Sequence, residues 1–226
     1  MTYRRRLLTI IRVPAVLACL IGPVACPAFA QNIIDQWSDV QVPPPPELKK
    51  VTVDPKSTAL LVMGFVRDSC NVQRRPRCIA TIPHVKKLLT EARAHLCCTA
   101  CLPTILPAIT LWRTLRPLPG EAIIPPNGPN KFLPFDLNFN RYLGFDLERT
   151  FSDHGIRTVI TVGTQVQTAV LHTAAEAALR GYKVIVPIDG MSGDSLYPEQ
   201  YTAWHLANTQ RVMQQVTLTK VDLIDY

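Results

Sequence analysis

Apolar residues gather into short runs, and the clearest arrangement lies between residues 156 and 190. Thr158–Val162 (TVITV) is a β-branched run without polar alternation, which predicts a strand buried on both faces; it stops at Gly163. The next stretch, 164–180 (TQVQTAVLHTAAEAALR), is rich in alanine and repeats Val166, Val170, Ala174 and Ala177 at helical spacing, with Gly181 in C-cap position. Val184–Ile188 is a second apolar run, closed by Asp189-Gly190. Strand, helix, strand predicts a βαβ unit with parallel strands and a right-handed crossover. Ligands in such sheets lie beyond the carboxyl ends of the strands, where the helix N-terminus also points, so a site is expected at the turn 163–169.

The same patterns extend along the chain. Thr58–Met63 (TALLVM) is another buried strand, and Pro83–His95 reads as an amphipathic helix. Its apolar face is Val85, Leu88, Leu89 and Ala92, its outer face carries Lys86, Lys87, Glu91 and Arg93, and Pro83 suits the first turn. Ala122–Ile124 predicts a short strand, and Leu143, Leu147 and Phe151 mark the inner face of a helix ended by Gly155. Tyr197–Asn208 predicts a helix with Pro198 in its first turn, from which Tyr201, Trp204 and Leu206 are candidates to pack on a sheet. Val216–Val221 alternates as a final edge strand.

The segment 156–190 resembles the core signature of the isochorismatase-like hydrolases. The matching residues are Gly163, Val170, Thr173, Ala174, Ala177, Gly181, Tyr182, Val184, Val186 and Asp189. At the nucleophilic cysteine of the family this chain has Ala169. The run TALLVM leads into GFVRD, where the family has a D-M-Q-N-D pattern: the second Asp is matched by Asp68, but the first position is Gly64. Lys131, after Gly128-Pro-Asn, resembles the active-site lysine, the one member of the Asp/Lys/Cys set retained in type; the alternative is an ordinary surface lysine of a Pro/Gly loop, and the match to the flanking strand and following helix favours the family reading. The resemblance implies a three-layer α/β/α sandwich around a mainly parallel, Rossmann-like sheet of about six strands. It also implies chemistry in which Asp deprotonates Cys, the thiolate attacks an amide-like carbonyl, and Lys and backbone N–H groups steady the developing charge. Isochorismatases proper use the Asp to protonate a vinyl ether. Ala169 removes the first chemistry and Gly64 removes both, because glycine has no proton to take or give.

Residues 96–118 do not fit this scheme. They carry three prolines, three cysteines and almost no charge where a central strand is expected. Cys98-Thr-Ala-Cys101 has redox spacing, but Leu102-Pro103 is a poor helix start for a low-pKa thiol, and haem attachment would need His at 102. A DNA sequence encoding CCTACLPTILPAI can, with permitted codons, read one base back as VLYSLPADNPAGD, a buried strand, a loop and a polar turn. The segment is therefore expected to be frame-shifted, with the frame restored before 117–121.

Charge and the amino terminus change the picture of where the protein works. The net charge is +7, but Arg4, Arg5, Arg6 and Arg12 lie in a stretch without acidic residues, and without them 20 basic residues face 17 acidic. That excess is too small to argue for nucleic acid. Residues 1–30 have a basic start, an apolar run from Leu7 to Val24 and Ala28-Phe29-Ala30 as an A-x-A site, which predicts a signal peptide cleaved before Gln31 and a periplasmic or secreted protein. A membrane anchor and a lipoprotein through Cys19 or Cys26 are the competing readings. Gln31–Pro55 is a lead-in with Pro43–Pro46 as a stiff, extended stretch, and the domain follows over 56–226. In an oxidising compartment Cys70 and Cys78, flanking the polar loop NVQRRPR, are expected to form a disulfide; free thiols and a metal pair are the alternatives. His172 and His205 read as packing or surface residues. Neither a cofactor nor a metal is expected, nor a membrane contact after cleavage; a homo-oligomer stays open.

Three functions remain: an exported family member with little or no activity, which the sequence favours; a hydrolase with a relocated acid/base, Asp68 or Asp189; and a binding protein for a small carbonyl or vinyl-ether ligand.

Overall fold

The central sheet runs β10 (Val216–Thr219), β8 (Lys183–Pro187), β7 (Thr158–Thr164), β2 (Thr58–Met63), β3 (Cys98–Leu102) and β4 (Ala122–Ile123), every neighbouring pair parallel. β9 (Met191–Ser192) adds to the end of β7. This arrangement comes from a computed structural model that describes residues 32–95, 98–102, 111–124, 128–133, 135–136, 141–142 and 145–226. The expected signal peptide and its cleavage site, residues 103–110, and Leu143 lie outside the described residues.

All six residues of β2 are buried, and they alternate between two cores. Ala59, Leu61 and Met63 pack with α2 (Leu147–Asp153), α3 (Leu171–Leu179) and α4 (Leu196–Asn208), whereas Leu60 and Val62 pack with α1 (Pro76–His95). Helices thus cover both faces, which is why these strands show apolar runs rather than alternation. Each fully buried Leu, Ile or Met contributes about 1.5–3 kcal/mol. The predicted neighbours TALLVM, TVITV and VIVP lie side by side, and the crossover helix ends as its pattern implies. Gly181, at φ +90°, takes the left-handed position after α3, and the amides of Gly181 and Tyr182 bond the carbonyls of Ala178 and Ala177. Val216–Thr219 is an edge strand; the chain continues to β11 (Ile224–Asp225), which pairs in parallel with β1 (Val51–Thr52). β5 (Phe135–Asp136) and β6 (Arg141–Tyr142) form a separate antiparallel pair.

Three expectations are corrected. Helix α1 begins at Pro76, so Pro83 stands inside it and Arg77 belongs to the helix rather than to the polar loop. The buried stripe starts at Cys78 and Thr81 and runs on through Val85, Leu88, Leu89 and Ala92, one turn or more earlier than the aliphatic residues alone announce. On α4, Tyr201 and Trp204 are 40% and 45% exposed. The face on the core is Thr202, Ala203 and Leu206, whose small side chains let the helix approach closely. The apolar stretch 164–180 is not one α-helix: Val166–Val170 is wound as a π turn, with the Leu171 amide reaching the Val166 carbonyl, before α3 begins. The strand expected within LCCTACL is present as β3, Cys98–Leu102.

The chain divides into two units, Met1–Val42 and Pro43–Tyr226. In the first, Asn32 Oδ1 accepts from the amides of Ile34 and Asp35 ahead of a single 3-10 turn at Trp37–Asp39. In the second, the lead-in is tied down from Lys49 onward, whose amide bonds the Leu218 carbonyl. Among the described residues no helix is long and apolar enough to cross a membrane.

Candidate functional site

The register of β2 on β7 ends with Met63 opposite Gly163, so Gly64 and Thr164 meet at the carboxyl end of the sheet. Gly64 has φ +78°, and a Cβ built on it would lie 2.2 Å from the Thr164 carbonyl oxygen. The backbone of β7 therefore fills the space in which a side chain at 64 would begin. Gly163 is packed as closely: a Cβ there would stand 2.8 Å from the Met63 carbonyl oxygen. These contacts explain in steric terms why both strand ends carry glycine.

Ala169 lies in the π turn that follows β7. Its amide donates to the Gln165 carbonyl at 3.0 Å, and its methyl is half-buried against the core shared with α2, α3 and α4. A methyl group offers neither a nucleophile nor a proton. π turns recur at functional sites, and this one lies where the βαβ unit places a ligand.

Lys131 is 8% exposed. Its amide donates to Thr173 Oγ1 at 3.2 Å, and that hydroxyl donates to the Pro129 carbonyl at 3.3 Å, so the Pro/Gly loop is docked on α3 one turn beyond Ala169. The ammonium donates to the Gly128 carbonyl at 2.6 Å. Burial lowers its pKa from 10.5 to about 8, because the desolvated charged form is disfavoured. The neighbouring Phe132 fixes the loop further: its ring meets Phe151 edge-on at 6.0 Å, and the Arg180 guanidinium lies 5.0 Å from its centroid. The surface-lysine reading of Lys131 is thereby excluded. Thr164 and Thr173 are the residues that sequence reasoning did not single out as functional. Thr173 belongs to the T-A pair of the signature, but its grip on Lys131 has no local sequence signal.

The two proposed substitute carboxylates are placed differently. Asp68 is exposed, and its backbone carbonyl accepts from Asn71 Nδ2 and Arg74 Nη1 at 3.1 and 3.2 Å. Asp189 Oδ1 accepts the Val221 amide at 3.0 Å, and Oδ2 stands 3.5 Å from His84 Nδ1. Asp189 lines an open cleft of about 420 Å³ between Arg77 and His84 of α1 and Glu199 of α4, while its own carboxylate contacts, His84 and Val221, lie on the α1 side of the sheet. Ala169 and Lys131 are associated with α3, on the other side. The Asp189 carboxylate is thus engaged by the Val221 amide and faces His84. His172 is exposed, and His205 lies on α4 with its ring against Tyr201.

Cys70 and Cys78 are both fully buried and are joined by a disulfide with Cα atoms 5.5 Å apart. It clips the loop after β2 to the first turn of α1, and Trp112 Nε1 donates to the Cys70 carbonyl at 2.8 Å. Among the described residues no group of three or more His, Cys, Asp or Glu could hold a metal ion.

Comparison with known proteins fits this geometry. The sequence model of the isochorismatase domain matches residues 58–220. Among solved structures, an isochorismatase family protein from Desulfovibrio vulgaris is 17% identical with a TM-score of 0.61, over 74% of this chain and 95% of that one. A cysteine hydrolase from Pseudomonas syringae is 16% identical with a TM-score of 0.63, over 78% and 94%. A nicotinamidase from Staphylococcus aureus is 18% identical with a TM-score of 0.60, over 73% and 99%. No curated protein sequence matches the chain significantly.

Proposed function

Because the chain belongs to the isochorismatase family, we propose that it is an exported member in which the hydrolytic chemistry has been lost while the fold and the lysine loop are kept. The observation that carries this reading is the Gly64–Thr164 contact, since a side chain at 64 would start 2.2 Å from a main-chain oxygen. Two strands in parallel register hold that oxygen in place, so the missing carboxylate is built into the backbone. With Ala169 in the nucleophile position, a carbonyl bound at the turn meets no thiolate, and a vinyl ether meets no acid at 64. Lys131 can stabilise an oxyanion but cannot create one. General acid–base catalysis is typically worth ~10²–10⁴-fold, and its loss places turnover near the uncatalysed rate. Asp68 is solvent-exposed, and Asp189 already holds the Val221 amide on the α1 side of the sheet.

Export rests on the basic, apolar and A-x-A parts of residues 1–30, and the Cys70–Cys78 pair suits an oxidising compartment. The test is a turnover assay on purified protein with a panel of primary amides and vinyl ethers. No rate above background is expected with either class, and a clear rate with one of them contradicts the proposal.

A further inference from the structure

The outer face of α4 carries a ladder of uncovered aromatic rings. Tyr197, Tyr201 and Trp204, at i, i+4 and i+7, are 69%, 40% and 45% exposed and stand opposite the buried stripe. Tyr197 and Tyr201 stack with centroids 6.4 Å apart and planes inclined by 27°, and the His205 ring continues the row 5.7 Å beyond Tyr201. Rings spaced along one face in this way offer flat apolar surfaces with polar rims, the surface that polyproline segments recognise.

The chain also contains a polyproline segment that neither the fold nor the site uses. Pro43–Pro45 are exposed. A polyproline helix has no internal hydrogen bonds and is stiff before it binds, so docking it loses little entropy. Its point of attachment is specific. Leu48 packs in the same core as Ala203 and Leu206 of α4, and Lys49 is bonded on both sides to β10, through the Leu218 carbonyl and the Thr219 hydroxyl. The tract therefore leaves the domain at the sheet edge, in the layer of α4, with a reach of roughly 15 Å at 3.1 Å per residue. Because Pro43–Pro45 and the rings are exposed in one chain, with Pro46 half-buried where the tract joins the domain, the tract is not seated on its own ladder.

We propose that the Pro43–Pro46 tract of one copy docks on the Tyr197–Tyr201–Trp204 ladder of a second copy, and that the exchange is reciprocal. In a two-fold pair each chain gives one tract and receives one, so the contact closes without leading to filaments.

Sedimentation velocity on the purified protein tests this, together with two variants: Tyr201→Ser with Trp204→Ser, and all four prolines replaced by serine. The wild type should sediment as a dimer and each variant as a monomer, with melting temperatures near that of the wild type because the altered residues lie outside the core. A mixture of the two variants should recover a dimer, since one intact ladder still meets one intact tract. A labelled peptide spanning 41–50 should bind the wild type saturably and should not bind the ladder variant. A monomeric wild type that binds no peptide overturns the proposal, as does a dimer that survives in either variant or a mixture that stays monomeric. A monomeric wild type that does bind the peptide overturns it too, by assigning the ladder to a polyproline segment of another protein.

Discussion

At Gly64 a left-handed backbone and a neighbouring carbonyl oxygen together decide what chemistry position 64 can support. A non-glycine residue at φ +78° is strained by about 1–3 kcal/mol, and the 2.2 Å approach to the Thr164 oxygen adds to that. Gly64→Ala should therefore lower stability by at least that amount, measured by urea unfolding. Gly64→Asp restores the carboxylate in name only, and should unfold as early without gaining vinyl-ether turnover. A Gly64→Asp protein of unchanged stability would show that the strand ends yield more readily than their register implies. Lys131 makes a second prediction. Its pKa of about 8 lies below the ordinary 10.5, so at neutral pH the fold holds a buried ammonium that the unfolded chain would solvate. That penalty, on the order of 3 kcal/mol, is fully present below about pH 8 and is relieved as pH climbs toward 10.5. Lys131→Met also leaves the Gly128 carbonyl without this donor, which offsets about 1 kcal/mol. The variant should be more stable than the wild type at pH 7, with a gap that shrinks by pH 10. A gap independent of pH would mean that burial of the charge is not its source.

In helix α1 a proline stands seven residues inside the helix that an earlier proline begins. Pro83 removes an amide donor from the helical ladder, an interior penalty of about 3 kcal/mol. Pro83→Ala should raise the melting temperature; a lower one would mean that packing around the ring outweighs the lost bond. The misplaced helix start shows what an apolar pattern can and cannot reveal. Val85, Leu88, Leu89 and Ala92 announce the inner face, but Cys78 and Thr81 extend it in residue types that a periodicity argument counts as polar or as disulfide partners. On α4 ring size is the misleading signal: Tyr201 and Trp204 are exposed, while the smaller Thr202 and Ala203 face the core. The strands were the easier part, because burial on both faces leaves no polar alternation to confuse them. β3 lies within the segment that reads as frame-shifted, and its five residues pair with β2 from Ala59 to Met63. An apolar pentapeptide can occupy that slot in either frame, so sequencing the gene across codons 95 to 120 is the discriminating observation. A run encoding VLYSLPADNPAGD one base back is expected there.

Across the whole molecule, the family and the layered α/β fold were readable from one βαβ signature because its spacing is set by backbone geometry. The candidate site was legible in the sequence only through the residue types at Gly64 and Ala169, whereas the oxygen that closes the space beside Gly64 belongs to Thr164, one hundred residues away in the chain and without a local signal. The proposed export rests on the sequence of residues 1–30 and is tested by intact mass of protein recovered outside the cytoplasm. The chain should begin at Gln31 and lack the two hydrogens of the Cys70 and Cys78 thiols; retention of Met1–Ala30 would indicate an anchor. The proposed loss of activity requires that positions 64 and 169 together leave no group able to start the reaction. Steady-state turnover of a primary amide and of a vinyl ether, measured side by side for the wild type and Lys131→Ala, is the decisive measurement. Both proteins should match the uncatalysed rate with both substrates, whereas robust wild-type turnover abolished by Lys131→Ala would contradict it.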